Sequence, residues 1–189
     1  IIQNAELGIE SCRHLIALIN DILDISKIEE GKVDLQIEKI ALSSMFDTIY
    51  STMNHMVEQK KLKLDIICGE PALNVLADRK RLDQILYNIV GNAIKFTDKG
   101  TITISYNQKD ENTAQIEVID TGCGIASDEI HKVFNRFEQA GTKAKQTKGT
   151  GLGMAISKKL VEMMGGEIEV KSELNKGTGF YFPLPKSKI

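Results

Sequence analysis

The stretch R-K-R-L-D-Q-I-L-Y-N-I-V-G-N-A-I-K-F-T (Arg79–Thr97) carries two periodicities at once. Leu82, Ile85, Leu86, Ile89, Ala93 and Phe96 recur at helical spacing and form one apolar stripe. Gln84, Asn88, Asn92 and Lys95 line up on another face of the same helix. The next residues change period. Thr101–Asn107 and Ala114–Ile119 alternate apolar with polar side chains, and the polar Gln108–Thr113 between them reads as a hairpin turn. A one-sided helix beside an alternating hairpin points to helices laid on one face of an antiparallel sheet.

Working outward extends that picture. Upstream, strands are expected at Asn74–Ala77 and Leu62–Ile67, a helix at Ser43–Glu58, and a strand where Val33, Leu35 and Ile37 alternate with polar residues. Downstream, Ser127 reads as the N-cap of a short helix through Phe134. A helix is expected from Thr150 to Met164, stopped by Gly165-Gly166, then strands at Glu167–Ser172 and Gly179–Leu184. Strict β-α-β alternation is absent. The expected fold class is therefore α/β: a two-layer sandwich with a mixed, mostly antiparallel sheet and helices on one face.

Residues 1–30 stand apart. Ile2, Ala5, Ile9, Cys12, Ile16, Ile19 and Leu23 make one apolar seam, and Leu15, Leu18, Ile22 and Ile25 make a second beside it. Two adjacent seams suit a bundle helix with partners on two sides. Gly31 is a plausible C′ residue. The chain divides into 1–31, a bundle helix, and 32–189, the sandwich.

The 189 residues allow one domain with a real core and a small appendage. A net charge of -2 gives no reason to expect nucleic acid or a membrane surface as partner. Cys12, Cys68 and Cys123 are too few and scattered for a disulfide framework or zinc site, and their odd number fits a reducing, cytoplasmic compartment. No apolar run is long enough to cross a bilayer. The start at Ile1-Ile2, already in helical pattern, reads as a piece of a longer parent, whose membrane attachment stays open.

Three short signatures carry chemistry, and each alone has a plainer reading. Asn88 and Asn92 bring two carboxamide oxygens side by side, able to ligate Mg²⁺ without adding charge near phosphates, with Lys95 one turn on. They also suit a merely solvated face. In D-T-G-C-G (Asp120–Gly124), a carboxylate past a strand end can accept from an exocyclic amine, and glycines admit a flat ring. A tight turn explains the same residues. In G-T-G-L-G-M-A (Gly149–Ala155), glycines at a helix N-terminus can cradle an anion, though no G-K-[ST] follows as in a P-loop. Before it, Glu138–Lys148 reads as a lid whose Lys143, Lys145 and Lys148 could reach phosphates, or as a solvated charge run. Phe134 and Phe137, just before the lid, read as loop anchors.

In combination and order, these signatures resemble the ATP-binding domain of sensor histidine kinases of two-component systems, within the GHKL ATPases. The resemblance runs from Val33 to Pro185, and L-I-N-D-I-L-D-I-S-K-I-E-E-G-K (Leu18–Lys32) resembles the second helix of the family's dimerisation hairpin. It implies a Bergerat-type fold with ATP and Mg²⁺ as cofactors. It implies Asn92 as metal ligand, Asn88 and Lys95 as the catalytic residues serving the phosphates, and Asp120 as the reader of adenine. Gly122, Gly124, Ile125, Phe137, Lys148, Gly149, Thr150, Gly151, Leu152, Gly153 and Thr178 are implied around the nucleotide. Lys148 stands where the family often has glycine, Met154 where leucine is common, and Cys123 at a variable position. The implied partners are a second copy in the parent, a phosphoacceptor helix and a response-regulator receiver domain.

The family's acceptor histidine normally precedes an acidic residue, with Arg and Pro soon after. His14, His55 and His131 precede Leu15, Met56 and Lys132, so none matches. The chain is expected to bind Mg-ATP but not to phosphorylate itself. Two alternatives stand beside this reading. A clamp ATPase of the gyrase, mismatch-repair or heat-shock-chaperone branches would need a water-activating Glu where Asn88 stands. A non-catalytic dimerisation module would have no need of Asn92, Asp120 and the glycines.

Overall fold

The structure, a computed structural model, describes residues 2–69, 73–138 and 150–187. Helix α1 (Ile2–Glu29) leads in, followed by β1 (Ile37–Ala41), α2 (Leu42–Gln59), β2 (Lys63–Cys68) and β3 (Asn74–Asp78). Helix α3 (Arg79–Phe96), the hairpin β4 (Thr101–Gln108) and β5 (Thr113–Asp120), and a 3-10 turn (Ile130–Phe134) come next. Helix α4 (Gly153–Met163), β6 (Glu169–Glu173) and β7 (Gly177–Pro185) complete the fold.

Five strands form the main sheet in the order β2-β4-β5-β7-β6. Only β2 and β4 run parallel; the other pairs are antiparallel. Residues of β4 and β5 are buried at every second position, so the sheet has one dry face. Ile102, Ile104, Tyr106, Ala114, Ile116 and Val118 meet Phe180, Phe182 and Leu184 there. Helices α2, α3 and α4 supply the second layer, with Phe46 edge-on to Tyr106 at 5.2 Å between ring centroids. Fully burying one such Leu, Ile, Phe or Met side chain stabilises the fold by about 1.5–3 kcal/mol. The expected sandwich is the one observed.

The ends of the elements have identifiable causes. At the end of α1, Lys32 N–H reaches Lys27 O at 2.9 Å and Gly31 N–H reaches Ile28 O at 3.1 Å, with Gly31 at φ +63°. That is a Schellman closure, and glycine takes its left-handed position without a Cβ clash. The end of α4 repeats it at Gly165 and Gly166. Asp78 starts α3 by accepting Arg81 N–H at 3.0 Å, while its other oxygen accepts Gln36 N–H at 2.9 Å. One buried carboxylate thus caps the helix and pins the segment arriving from α1.

Several boundaries differ from the sequence expectation. The Val33–Ile37 alternation is present, but strand pairing begins only at Ile37. There β1 and β3 form a separate antiparallel pair that the alternation did not foretell. Ser127 does not cap the short helix; the turn starts at Ile130 and is 3-10. Helix α4 starts at Gly153, three residues later than expected, because Gly151 sits at φ +69°, outside helical geometry.

Candidate functional site

The C-terminal end of α3, the end of β5 and the N-terminal end of α4 converge on one region. Asp120, the last residue of β5, is 6% exposed. Its Oδ1 accepts Gly122 N–H at 2.8 Å, and the Thr178 backbone N–H donates to the same carboxylate. Burial dominates and raises its pKa above the ordinary value, the two backbone donors pulling in the other direction. Removing this charged group from water is costly unless a ligand completes its hydrogen bonds.

The turn after Asp120 has no room for side chains. A Cβ on Gly122 would lie 2.6 Å from Phe96 O, 2.8 Å from Asp120 Oδ1 and 2.9 Å from Thr97 Oγ1. Gly124 takes φ +65°, where a Cβ would collide with Glu173 O. Thr97, which sequence reading did not single out, is fully buried. Its hydroxyl leans on the Asp120 carboxylate outside ordinary hydrogen-bond geometry and has no satisfied partner among the described residues. A buried orphan hydroxyl beside a buried carboxylate marks a place where a polar ligand or water belongs.

Around this turn, Ser172 acts as a hub. Its Oγ accepts Ile125 N–H at 2.8 Å, donates to Gly177 O at 2.9 Å and lies 2.9 Å from Thr178 Oγ1. Thr178 stands directly opposite Asp120 in the β5–β7 ladder and is buried with it. Ser172 was also not legible as a site residue, being one polar side chain on a short edge strand.

On α3, the carboxamide of Asn88 lies flat against Gly153, where a Cβ would be 3.3 Å from Oδ1. Its Nδ2 donates to Gly153 O at 3.2 Å and Ser157 Oγ at 3.3 Å. Asn88 therefore ties α3 to the first turn of α4. Committing the nitrogen there leaves Oδ1 as the group able to accept. Asn92, one turn on, is half-buried. The ammonium of Lys95 lies 4.8 Å from the centroid of the Phe96 ring, and partial burial lowers its pKa. Gln84, on the same face by spacing, is drawn elsewhere: its Nε2 donates to Asp24 Oδ2 of α1 at 2.9 Å.

A metal would meet no ready-made cage. Among the described residues, no group of three or more His, Cys, Asp or Glu side chains is placed to hold one. The carboxamide oxygens of Asn88 and Asn92 fit Mg²⁺ only as an ion that keeps waters and shares substrate phosphates.

At the start of α4, Leu152 is fully buried and Gly151 O accepts Phe137 N–H at 3.0 Å. Phe137 takes φ +61° and is 68% exposed, so it anchors nothing. Phe134 is the anchor, edge-on to Phe180 at 6.4 Å. Thr150 accepts Leu152 N–H at 3.1 Å and donates to Asp21 of α1 at 2.8 Å. Lys148, Gly149 and nearly all of the expected lid, including Lys143 and Lys145, lie outside the described residues.

Helix α1 docks beside this region. Ile25 and Ile28 pack on the core, flanked by three acids. Asp21 holds Thr150, Asp24 meets Gln84 and Arg81, and Glu29 pairs with Arg136. At the far end of α3, Lys60 of the α2 terminus donates to Ile94 O at 2.7 Å and Lys95 O at 3.0 Å. A cation on those carbonyls caps the helix and complements its dipole.

Comparison with known proteins agrees with this arrangement. The family described as histidine kinase-, DNA gyrase B-, and HSP90-like ATPase matches residues 77–188. The chain is 39% identical over 180 residues to the signal transduction histidine-protein kinase BarA of Escherichia coli (strain K12), covering 92% of this chain and 20% of BarA. It is 34% identical over 194 residues to the autoinducer 2 sensor kinase/phosphatase LuxQ of Vibrio vulnificus (strain YJ016), covering 99% of this chain and 23% of LuxQ. Among solved structures, full-length ShkA in complex with AMPPNP superposes with a TM-score of 0.86 at 30% identity, over 100% of this chain and 40% of ShkA. The chain thus spans less than a quarter of the length of these curated relatives.

Proposed function

The chain belongs to the histidine kinase-, DNA gyrase B-, and HSP90-like ATPase family, and on that premise we propose that it is the catalytic ATP-binding part of a hybrid-type sensor histidine kinase. It binds Mg-ATP and delivers the γ-phosphoryl group to a histidine, for relay to the aspartate of a response-regulator receiver domain. The observation that carries this reading is Asp120: a buried carboxylate already holding two backbone N–H groups, beside a glycine turn with no space for side chains.

The residues divide the work. Asp120 accepts the exocyclic amine of adenine, and Gly122 and Gly124 let the turn beside it close against Phe96, Thr97 and Glu173. Phosphates extend toward the first turn of α4, whose free N–H groups and dipole favour anions. Asn88 braces that turn through Gly153 O and Ser157. Asn88 and Asn92 present carboxamide oxygens for Mg²⁺, which when bound supplies charge neutralisation on the phosphates. Lys95 offsets phosphate charge, and its lowered pKa reflects partial desolvation that an anion would relieve. Catalysis is then positioning and electrostatics, with the nucleophile supplied by the acceptor.

That acceptor is a histidine outside this sequence. His55 is exposed on α2 with Gln59 Nε2 at 2.9 Å from its ring, and His131 is exposed on the 3-10 turn. Neither has the acidic neighbour that assists proton removal. A hydrolytic clamp finds no support, since Asn88 offers a carboxamide where a base is needed. The parent pairs with a second copy through the apolar faces of α1, on which Leu15, Ile16, Ile19 and Leu23 are exposed.

The test is titration calorimetry with Mg-ATP, followed by incubation with a helical hairpin bearing an acceptor histidine. Binding, with acid-labile transfer of label from γ-labelled ATP to the hairpin, is the expected outcome. A folded chain that does not bind ATP overturns the proposal.

A further inference from the structure

An anion site at the end of α3 carries an electrostatic difficulty. The last carbonyls of a helix bear about half a negative charge, which disfavours an anion beside them. The last two turns of α3 hold Asn92 and Lys95, and Thr97 follows as the C-cap. Each carbonyl from Ala93 to Thr97 has a donor. Ala93 O accepts Thr97 N–H at 3.1 Å, and Phe96 O accepts Cys123 N–H at 3.2 Å. The remaining carbonyls share one ammonium: Lys60 Nζ lies 2.7 Å from Ile94 O, 3.0 Å from Lys95 O and 3.4 Å from Thr97 O. An ammonium has three protons, and this arrangement occupies all of them.

That ammonium stands on a fixed piece of backbone. Helix α2 ends in a Schellman closure, with Lys61 N–H on Glu58 O at 2.9 Å and Leu62 N–H on Val57 O at 3.0 Å. Lys61 takes the left-handed position at φ +57°, and the flanking Val57 and Leu62 are buried. Lys60 is the C-cap of that turn. Just beyond, Lys63 N–H reaches Gly100 O at 3.0 Å, so the segment from Lys60 to Lys63 holds the loop after α3 at both ends.

We infer that Lys60 is a positioning residue for the nucleotide, whose charge cancels the negative end of α3 so that phosphates can lie beside Asn92 and Lys95. The inference rests on the ATP-site reading above. Lys60 acts through α3 rather than by touching the ligand, because main-chain carbonyls occupy its donors. With the charge removed, the carbonyl end of α3 faces the phosphates uncompensated and repels them.

The test is titration of the whole chain with Mg-ATP by calorimetry, at low salt and at about 1 M salt. Lys60→Met, which keeps most of the side chain's length without its charge, is expected to weaken binding about 5-fold at low salt. At about 1 M salt, where charges are screened beyond about 3 Å, the loss should shrink below about twofold. Lys60→Gln keeps N–H donors but no charge and should behave like Lys60→Met. Lys60→Arg keeps the charge and should stay within about twofold of wild type at both salts. A turn that had merely loosened would lose the same affinity at both salts, and that result overturns the inference. So does a neutral variant within about twofold of wild type at low salt, or a Lys60→Arg loss as large as that of Lys60→Met. Should Lys60→Met fail to fold, Lys60→Gln decides by the same criteria. Wild-type chain that binds no Mg-ATP refutes the ATP-site reading itself, and this inference with it.

Discussion

Asp120→Asn changes almost no volume and one chemical property. Gly122 N–H needs an acceptor at 2.8 Å, so the amide oxygen stays at Oδ1 and NH₂ replaces Oδ2. A donor then faces the amine of adenine, another donor. The variant loses a hydrogen bond to a charged acceptor, about 1.5–3 kcal/mol, or about 10- to 150-fold in Kd for ATP. Titration calorimetry at neutral pH reads this directly. A Kd within about twofold of wild type would refute the assignment of Asp120 to the base.

The pH dependence supplies a second check. Burial raises the Asp120 pKa above its ordinary 3.8, so the anion is lost at a higher pH than for a solvated Asp. ATP affinity should fall as pH is lowered through that raised value, and the Asn variant should lack this fall. The sign for the empty fold is opposite. Between the two pKa values the folded chain holds a proton that the unfolded chain has released. Stability from this group is therefore fully present below 3.8 and is lost as pH rises through the raised value. The charge assigned to the base is thus held against the preference of the fold.

Three other substitutions test different parts of the structure. Asn92→Ala should remove most of the Mg²⁺ dependence of ATP binding while leaving metal-free binding within about twofold, read by calorimetry with and without chelator. Gly177→Ala places a Cβ against Asp120 O at φ +117°; the urea midpoint should drop by the equivalent of about 3 kcal/mol or more. Arg81→Ala removes a guanidinium shared by Asp24 and Gln84. It should speed hydrogen exchange in residues 18–29 by roughly fivefold, about 1 kcal/mol, without altering exchange in β4 and β5.

The parts of the fold that sequence revealed are those with a single strong period. Strands β4 and β5 alternate because one face is dry, and α3 shows its stripe because one side meets the sheet. What escaped was decided by tertiary contact. Gln84 sits in register with Asn88 and Asn92, yet a carboxylate from a helix 60 residues earlier draws it away. Val33 and Leu35 alternate without pairing, because Asp78 holds the chain at Gln36 and the partner strand ends at Asp78, opposite Ile37, where α3 takes over. Lys60, Thr97 and Ser172 carry no periodic signal; Lys60 and Ser172 matter through a few specific bonds, and Thr97 through a buried hydroxyl left without a partner among the described residues. The candidate site residues were legible as types at spacings, whereas the contacts that tie them to one another were not.

The docking of α1 has a mechanical consequence. Its three acids and two isoleucines occupy one side of a helix that turns about 100° per residue. They do not grip in sequence, like teeth on a rack, but together, like the face of a clutch. Sliding the helix a little along its axis would strain each bond slightly, whereas turning it by one residue would swing Asp21, Asp24 and Glu29 off Thr150, Arg81 and Arg136 in a single motion. Of these contacts, the one between Asp21 and Thr150 reaches the turn ahead of α4. If rotation of α1 shifted that turn, a ligand held there would by reciprocity favour one angle of the helix.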